Sequence, residues 1–329
     1  MTYELEVDAS CSSPACAFPS PEVHVGDLTE LEFRPAGDLP VDQAPPVGRR
    51  YYFRVRACAR REICSEWQVR YVDVGRAPHD FNGDGYTDLV AGSPWWNGYT
   101  LVYYGSAAGL DPASPQLLTQ SARFGSTGDV NGDGFTDWIG SDNTDPGVRA
   151  FVAYGSSSGV VETSAWQVTR TGENAAVFAE ADVDGDGFDD ILLGGGTTAA
   201  LADVFRGSEG EPAATPSLTF PQRGSSSPLQ RPRTGDFDGV AIADWLIGEG
   251  TIHNVSVLLG TQANMSVGFA DEIDGLAATT GSRLAAAAGD TNADGRDDVF
   301  IGVPSPPAYT SGALFLYRSG LDLFASPPS

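Results

Sequence analysis

The chain has 329 residues and a formal net charge of −25, and 41% of its residues are apolar. All 19 basic residues are arginine, against 44 acidic residues, so binding to a nucleic-acid backbone or to an anionic bilayer is disfavoured. No apolar run reaches the roughly 18 residues that a membrane span needs, and we expect no membrane insertion. The 40 glycines and 22 prolines, with few long helical patterns, predict an all-β protein of strands and turns.

The first residues of the sequence have neither the basic stretch nor the apolar core of a signal peptide. Either a segment outside this sequence directs secretion, or the chain is part of a longer protein. The absence of lysine favours an origin in a bacterium with a GC-rich genome.

Acidic residues are concentrated in the second part of the chain. Residues 1–76 carry 9 arginines and 12 acidic residues, a net charge of −3, whereas residues 77–329 carry 10 arginines and 32 acidic residues, a net charge of −22. The four cysteines also lie in the first part. We therefore place a domain boundary near Gly75 and Arg76, which gives a first domain at 1–76 and a second at 77–329.

In the first domain, residues 51–58 alternate strictly, which places Tyr51 and Phe53 on the same face of a strand. This segment resembles the sixth strand of a fibronectin type III domain, with Tyr51 where that family has its corner tyrosine. The resemblance makes residues 66–72 the last strand and residues 3–7 a middle strand. It implies a partial domain, because roughly 75 residues cannot hold all seven strands and these loops.

The four cysteines permit three pairings. Cys11 and Cys16 are five positions apart, and Cys58 and Cys64 are six positions apart around a predicted hairpin. These two local pairs are favoured because each would staple one turn, and a zinc site formed by the four thiolates is the weaker alternative. Disulfides would place the chain in an oxidising compartment.

The second domain contains one pattern five times, in copies that begin at Asp80, Asp129, Asp182, Asp236 and Asp290. These starts are 49, 53, 54 and 54 residues apart. Four copies have the complete form Asp-x-Asn/Asp-x-Asp-Gly-x-x-Asp, and an apolar run follows each copy. A second marker, Tyr-Gly-Ser in its clearest form, recurs at a nearly constant distance after the start of each copy. Two markers in constant phase indicate a true repeat.

Each repeat has the pattern of a loop, a strand, a turn and a second strand. The second strands are predicted at residues 99–104, 148–154, 201–205, 255–259 and 313–317. The weaker segments 116–119 and 166–169 are candidate edge strands. A period near 50 residues suits a blade of about four antiparallel strands, so the sequence predicts a β-propeller of about five blades. Both ends fall short of a complete blade, which leaves an open arc or a fragment of a larger ring as the alternative.

The repeated loop places side-chain oxygens at positions 1, 3, 5 and 9, and position 7 can add a backbone carbonyl. Glycine at position 6 permits the left-handed turn with which the chain wraps a cation. Oxygen ligands without histidine or cysteine favour Ca²⁺, and Mg²⁺ demands a stricter octahedron. A plain turn is the alternative. However, 16 of the 32 acidic residues in this domain occupy ligand positions, and clustered carboxylates repel one another without a counter-cation.

We therefore predict three to four structural Ca²⁺ ions. The complete loops supply the predicted ligands Asp80, Asn82, Asp84, Tyr86, Asp88, Asp129, Asn131, Asp133, Phe135, Asp137, Asp182, Asp184, Asp186, Phe188, Asp190, Asp290, Asn292, Asp294, Arg296 and Asp298. In the fourth copy Val240 replaces the ligand at position 5 and Ala241 replaces the glycine, which leaves a weak set of Asp236, Asp238 and Asp244. An EF-hand is excluded because position 12 is never glutamate and the flanks read as strands.

The repeats resemble the FG-GAP repeats of integrin alpha-subunit propellers and their bacterial relatives, whose calcium loops have this pattern and lead into a strand ending near Gly-Ala-Pro. The corresponding endings here are residues 91–94 and 301–304, and the Phe-Gly pair is clear at Phe124 and Gly125. The likeness covers residues 77–329, although integrin-like propellers have seven blades rather than five. It implies a module for adhesion or partner binding, secreted or at the cell surface, with structural calcium.

The sequence has three histidines, no lysine and no nucleophile motif such as Gly-x-Ser-x-Gly. We therefore expect no enzymatic activity, and we interpret His79 as a turn residue beside the first loop. The expected partner is an extracellular protein, and the alternative is a glycan, as in propeller lectins. A candidate ligand face lies opposite the metal loops and consists of Trp95, Trp96, Asn97, His253 and Tyr309. Its tryptophans either stack on sugar rings or cover a blade edge.

Overall fold

The computed structural model describes residues 1–30, 32–60, 63–92, 99–120, 122–144, 147–162, 166–171, 175–195, 201–221, 232–248, 255–261, 284–303 and 313–320. Within these ranges the chain forms 22 β-strands and no helix. The described part accordingly has no helix that is long and apolar enough to cross a membrane. The all-β class predicted from the sequence is confirmed.

The first five strands form one antiparallel sheet. They are β1 (Thr2–Asp8), β2 (Val23–Leu28), β3 (Arg49–Arg60), β4 (Ile63–Cys64) and β5 (Gln68–Val74). β3 pairs with β1 along one edge and with β5 and β4 along the other, and β2 lies outside β1. Tyr51 on β3 is fully buried, and its hydroxyl donates a hydrogen bond to the carbonyl of Pro40.

Both predicted disulfides are confirmed. Cys11 is bonded to Cys16, and Cys58 is bonded to Cys64. The second bond joins β3 to β4 at a register pair of the sheet. Because these bonds occupy all four sulfurs, no thiolate remains for a zinc site.

The repeats form five further antiparallel sheets, one for each copy. The first contains β6 (Leu89–Gly92), β7 (Thr100–Tyr103) and β8 (Gln116–Leu118). The second contains β9 (Phe124–Gly128), β10 (Asp137–Thr144), β11 (Gly147–Ala153) and β12 (Gln167–Thr171). The third contains β13 (Ala175–Ala181), β14 (Asp190–Gly195), β15 (Leu201–Phe205) and β16 (Leu218–Pro221). The fourth contains β17 (Arg233–Gly235), β18 (Asp244–Gly248) and β19 (Val255–Leu258), and the fifth contains β20 (Leu284–Gly289), β21 (Asp298–Val303) and β22 (Ala313–Tyr317).

In the second to fifth repeats the nine-residue loop joins the first two strands of the sheet. In the second repeat, for example, β9 ends at Gly128 and pairs with β10, where Gly128 lies opposite Asp137. The sequence analysis started each repeat at its loop and therefore missed the strand before it. In the first repeat the described residues give strands only after the loop. Consecutive strands are neighbours in each of the five repeat sheets, which is consistent with the blades of a propeller.

The hydrophobic cores lie between consecutive repeats. Val130 and Ile139 of the second repeat pack with Val177 and Ile191 of the third in one buried cluster. Similar clusters join the first repeat to the second, the third to the fourth and the fourth to the fifth. Full burial of one such side chain contributes about 1.5–3 kcal/mol. Each repeat is therefore stabilised largely by its neighbours, as in other repeat architectures.

Candidate metal centre

The five loops share one backbone turn, in which positions 4 and 6 have positive φ in every copy. The residues at these positions are Gly83, Gly132, Gly185, Gly239 and Ala293, followed by Gly85, Gly134, Gly187, Ala241 and Gly295. The sequence analysis recognised the requirement at position 6 and missed it at position 4, where four of the five copies also have glycine. Ala241 (φ 58°) and Ala293 (φ 59°) adopt the same conformation with a Cβ, at a cost of about 1–2 kcal/mol each.

The carboxylates at positions 1 and 5 hold this turn from the inside. In the first loop Asp80 Oδ2 accepts from the amide of Gly85 at 2.7 Å, and Asp84 Oδ1 accepts from the amide of Tyr86 at 3.0 Å. The position 1 bond recurs in all the other loops, and the position 5 bond recurs in the second, third and fifth loops. A carboxylate has about four lone-pair sites. These bonds therefore leave oxygen capacity for a cation.

The aspartate at position 9 joins the loop to a later strand. Asp190 Oδ2 accepts from the amide of Val183 at 2.9 Å, and its Oδ1 accepts from the amide of Gly207 at 3.0 Å. The equivalent pair of bonds is made by Asp88, Asp137, Asp244 and Asp298. All five carboxylates are buried. Position 9 is thus part of the framework of every repeat, including the fourth.

The close approach of the chain at the position 9 aspartate also explains the Tyr-Gly-Ser marker. A Cβ on Gly105 would lie 2.4 Å from the carbonyl oxygen of Thr87, and a Cβ on Gly207 would lie 2.5 Å from that of Asp189. Gly155 and Gly260 show the same close approach. The glycine of this marker is therefore required because the chain just after the strand passes directly over the end of the loop.

Two further loop positions have packing roles that the sequence analysis did not identify. Position 2 is fully buried as Phe81, Val130, Val183 and Phe237 in the first four repeats. The ring at position 7 covers the loop of the preceding repeat: a Cβ on Gly83 would lie 2.5 Å from the ring of Phe135. Phe188 covers Gly132 in the same way. The recurrence of apolar residues at position 2 was the available sequence signal.

Hydrogen bonds between loops fix the relative positions of the repeats. The amide of Asp189 donates to the carbonyl of Asp129 at 3.0 Å, and the amide of Asp129 donates to Asp189 Oδ2 at 2.8 Å. Asp236 and Asp297 make the same exchange between the fourth and fifth repeats. In each acidic pair at positions 8 and 9, one carboxylate therefore bonds to the preceding loop and the other closes its own loop.

Burial raises the pKa of several of the loop carboxylates. Burial raises the pKa of Asp88 to about 6 and that of Asp244 to about 7. Burial, together with neighbouring carboxylates, also raises the pKa of Asp137 and of Asp190 well above the usual range. The fifth loop differs, because hydrogen bonds led by the Gly295 amide lower the pKa of the exposed Asp290.

The donor groups fit a hard cation. In the third loop one oxygen from each of Asp182, Asp184 and Asp190 lies within 4.8 Å of the others, and all three residues are buried. In the second loop Asp129 Oδ1 is buried and has no hydrogen-bond partner among the described residues. The only positive group in contact with the third cluster among the described ion pairs is Arg206, whose Nε lies 2.9 Å from Asp184 Oδ2. Clustered oxygen donors of this kind are the ligands that Ca²⁺ prefers.

The fourth loop keeps part of this arrangement. Oxygens of Asp236, Asp238 and Asp244 also lie within 4.8 Å of one another. Asp236 Oδ1 is buried and has no hydrogen-bond partner in the part of the chain that the structure describes. Val240 stands at position 5 and is 41% exposed. Its backbone carbonyl accepts a hydrogen bond from Arg70 of the first domain at 2.5 Å. The loop thus combines three converging carboxylates with a contact to a cationic side chain.

The predicted ligand face, which consists of Trp95, Trp96, Asn97, His253 and Tyr309, lies outside the described residues. His79 lies within them, and its Nδ1 is 2.8 Å from the hydroxyl of Thr127 beside the first loop. This contact places His79 between the first and second repeats.

Comparison with known proteins gives a family match and a set of relatives. Residues 77–107 match the FG-GAP repeat family model. The chain is 31% identical to integrin alpha-7 of Rattus norvegicus in a 145-residue alignment that covers 39% of this chain and 13% of the rat protein. Integrin alpha-7 of Mus musculus and of Homo sapiens are each 30% identical in alignments of the same length, which cover 39% of this chain and 12% of each relative. The alignment thus spans about an eighth of these relatives.

The matched repeat contains the first loop and the Tyr-Gly-Ser marker at Tyr104. These are the two features whose geometry recurs in the later repeats, through the position 9 bonds and the close approach of the marker glycine. The chain thus contains a segment that matches an FG-GAP repeat, and over part of its length it is similar to integrin alpha-7.

Proposed function

We propose that residues 77–329 form a calcium-stabilised extracellular β-propeller that acts as a protein-binding or adhesion module without enzymatic activity. The observation that carries this proposal is the third loop, where Asp182, Asp184 and Asp190 converge within 4.8 Å in a buried site. Three carboxylates at this separation repel one another strongly at low dielectric. A bound divalent cation would neutralise them and hold the turn.

Calcium is the ion that this donor set favours. The loops offer carboxylate, amide and carbonyl oxygens, without histidine or cysteine at a ligand position. Ca²⁺ accepts six to eight such oxygens in flexible geometry. The first, second, third and fifth loops carry the complete ligand pattern, so we propose three to four ions per chain. The fourth loop, with Asp236, Asp238 and Asp244 alone, is a weak site.

The adhesion role rests on the similarity to integrin alpha-7, of which the alignment spans about an eighth. The location outside the cell is supported by the same similarity and by two disulfides, which persist in oxidising compartments. Extracellular modules bind Ca²⁺ weakly, at dissociation constants of roughly 10⁻⁴–10⁻³ M, which suits the calcium concentration there.

We also propose that residues 1–76 are the back part of a fibronectin type III-like domain. The order β5-β3-β1-β2 along one sheet is the order expected for one sheet of such a sandwich. The Tyr51 hydroxyl bonds to an upstream backbone carbonyl, as a corner tyrosine does, although Pro40 is eleven residues upstream rather than a few. Together, this domain and the proposed calcium-stabilised propeller would make up the two domains that the charge distribution predicts.

The calcium proposal is tested by counting bound metal and by thermal unfolding. We expect bound Ca²⁺ in the purified protein and a melting temperature that falls markedly in EDTA. Asp186→Asn removes one ligand charge and retains an acceptor for the Phe188 amide, so it should lose one ion. Asp111→Asn, at an exposed turn outside the loops, is the matched control and should lose none. A metal-free protein whose melting temperature is the same in calcium and in EDTA would contradict the proposal.

The adhesion proposal is tested by binding of the purified chain to a panel of extracellular-matrix proteins. We expect saturable binding to at least one of them in calcium. A glycan is the second candidate partner, because adjacent Trp95 and Trp96 offer aromatic faces of the kind that pack against sugar rings. A glycan-array signal that is lost in Trp95→Ala or Trp96→Ala would favour the glycan over the protein.

A further inference from the structure

The first domain lies directly against the loops of the repeats. The amide of Val47 donates to the carbonyl of Gly83 in the first loop at 2.8 Å. Arg50 donates to the carbonyl of Gly187 in the third loop. Arg70 Nη2 donates to the carbonyl of Val240 in the fourth loop at 2.5 Å. Three loops thus offer a backbone carbonyl to the same domain.

The second loop is reached by a charged side chain. Arg76 Nη1 lies 3.6 Å from Asp129 Oδ2 and 3.3 Å from Asp73 Oδ1. Arg50 Nη2 lies 2.8 Å from the other oxygen of Asp73. The side chains of Arg50 and Arg76 are only 15% and 19% exposed. Asp73 therefore holds together the two arginines that face the second and third loops.

Pro46 and Tyr52 pack against loop glycines along part of the seam, which is the line where residues 1–76 meet the loops. A Cβ on Gly83 would lie 2.8 Å from Pro46 Cα, and a Cβ on Gly134 would lie 2.9 Å from Pro46 Cγ. A Cβ on Gly187 would lie 2.4 Å from the hydroxyl of Tyr52. The loop glycines thus meet the first domain at van der Waals distance, and no side chain would fit between the two surfaces at these points.

The arginines at the seam differ from other arginines of the same domain. Arg49, Arg54 and Arg56 are paired with acidic residues inside the first domain, namely Asp42, Glu6 and Glu4. Arg50 and Arg76 share Asp73 of the first domain, but together with Arg70 they also contact the second domain, whose net charge is −22. Complementary charge of this kind fixes the register of an interface and excludes wrong orientations.

The fourth loop shows what one of these arginines contributes. Burial lowers the pKa of Arg70, while the charges of Asp236 and Asp182 oppose that shift. Its guanidinium bonds to the carbonyl of Val240, at the loop position where the other copies have an oxygen ligand. The first domain therefore places a fixed positive charge beside the one loop that has lost part of its cation site.

We propose that the face formed by residues 80–88, 129–137, 182–190 and 236–244 is an intramolecular docking surface for residues 1–76, held by Arg50, Arg70 and Arg76. The two domains then move as one body. The first domain covers the parts of these loops that it contacts, so an external partner would meet other surfaces of the propeller. The proposal concerns these protein contacts and does not depend on which ion the loops bind.

The test compares two double variants. Arg50→Gln with Arg70→Gln removes two seam contacts, and Arg49→Gln with Arg56→Gln removes two ion pairs within the first domain as a matched control. We expect the wild type and the control to unfold in one calorimetric transition with the same radius of gyration. The seam variant should unfold in two transitions and have a larger radius of gyration. One transition with an unchanged radius in the seam variant would overturn the proposal.

A second measurement uses the wild-type protein and remains decisive if the seam variant fails to fold. The Val47 amide has its acceptor, the Gly83 carbonyl, in the other domain. Docking should slow hydrogen exchange of this amide at least about tenfold relative to an open loop. Exchange at the rate of an unprotected amide would show that the domains are not docked in solution.

Discussion

The third and fourth loops fold alike although their chemistry differs. In both, the position 1 carboxylate accepts from the position 6 amide, and three carboxylates converge within 4.8 Å. The third loop has Asp186 and Gly187 where the fourth has Val240 and Ala241. The backbone turn therefore tolerates the loss of a ligand and of a glycine. The turn is held by side-chain acceptors for backbone amides, whereas the proposed cation site requires the additional oxygens of the complete loops.

The largest loss of stability is expected from substitutions at position 9, where the third and fourth loops make the same hydrogen bonds. Asp190→Ala and Asp244→Ala each leave two buried amides without an acceptor, at about 1–3 kcal/mol for each donor. Each variant should lose about 3 kcal/mol or more of unfolding free energy, with and without calcium, as measured by urea denaturation. Asp111→Ala is the control. If only Asp190→Ala were destabilising, the fourth loop would not share this framework.

The next effect separates the loops by their response to calcium. Calcium at about 100 times its dissociation constant should stabilise an intact site by about 2.7 kcal/mol. Asp186→Asn in the third loop should remove a stabilisation of that order. Asp238→Asn in the fourth loop should leave the calcium-dependent shift of the melting temperature unchanged. Equal losses in the two variants would show that both loops bind the ion.

A complete ligand set should be recoverable in the fourth loop. Val240→Asp combined with Ala241→Gly restores the pattern of the third loop and should add one bound calcium ion per chain. The gain in stability should be about 1–2 kcal/mol in calcium, less than for a native site, because the positive charge of Arg70 lies beside it. Val240→Leu with Ala241→Gly rebuilds the turn alone and should add no ion.

The smallest effect concerns the backbone. Ala241→Gly relieves a left-handed conformation and should raise the unfolding free energy by about 1 kcal/mol. Gly295→Ala is the converse change in the fifth loop, at φ +86° with open space around the added Cβ, and should lower the unfolding free energy by a similar amount. A melting temperature that rises in Ala241→Gly and falls in Gly295→Ala would show that the left-handed backbone conformation causes both changes.

Most of the local structure was accessible from the sequence. The predicted second strands at 201–205 and 313–317 coincide with β15 and β22, and the candidate edge strand at 116–119 corresponds to β8. The pairing of Cys11 with Cys16 was also predicted, because residues five positions apart at a turn meet without long-range folding. The all-β class was predicted from composition. These features depend on short-range chain geometry.

The roles of other residues could be identified only from the contacts between repeats. The sequence analysis chose Phe135 for its backbone carbonyl, but its ring covers Gly83 of the preceding loop. Asp189 is not among the predicted ligands, but its carboxylate accepts a hydrogen bond from the amide of Asp129. Burial raises the pKa of Asp189 to about 7. These partners are more than 50 residues apart, and one sequence contains no signal for such a distant pairing.

The amino-acid sequence by itself determined the five loops, the strands that follow them and the two disulfides, because each depends on residues within one turn or one strand. The tertiary structure alone decided that consecutive repeats share their cores and that Arg50, Arg70 and Arg76 lie against the loops. The physical reason is that burial and charge pairing depend on which distant surfaces meet. That meeting is fixed by the packing of the whole chain.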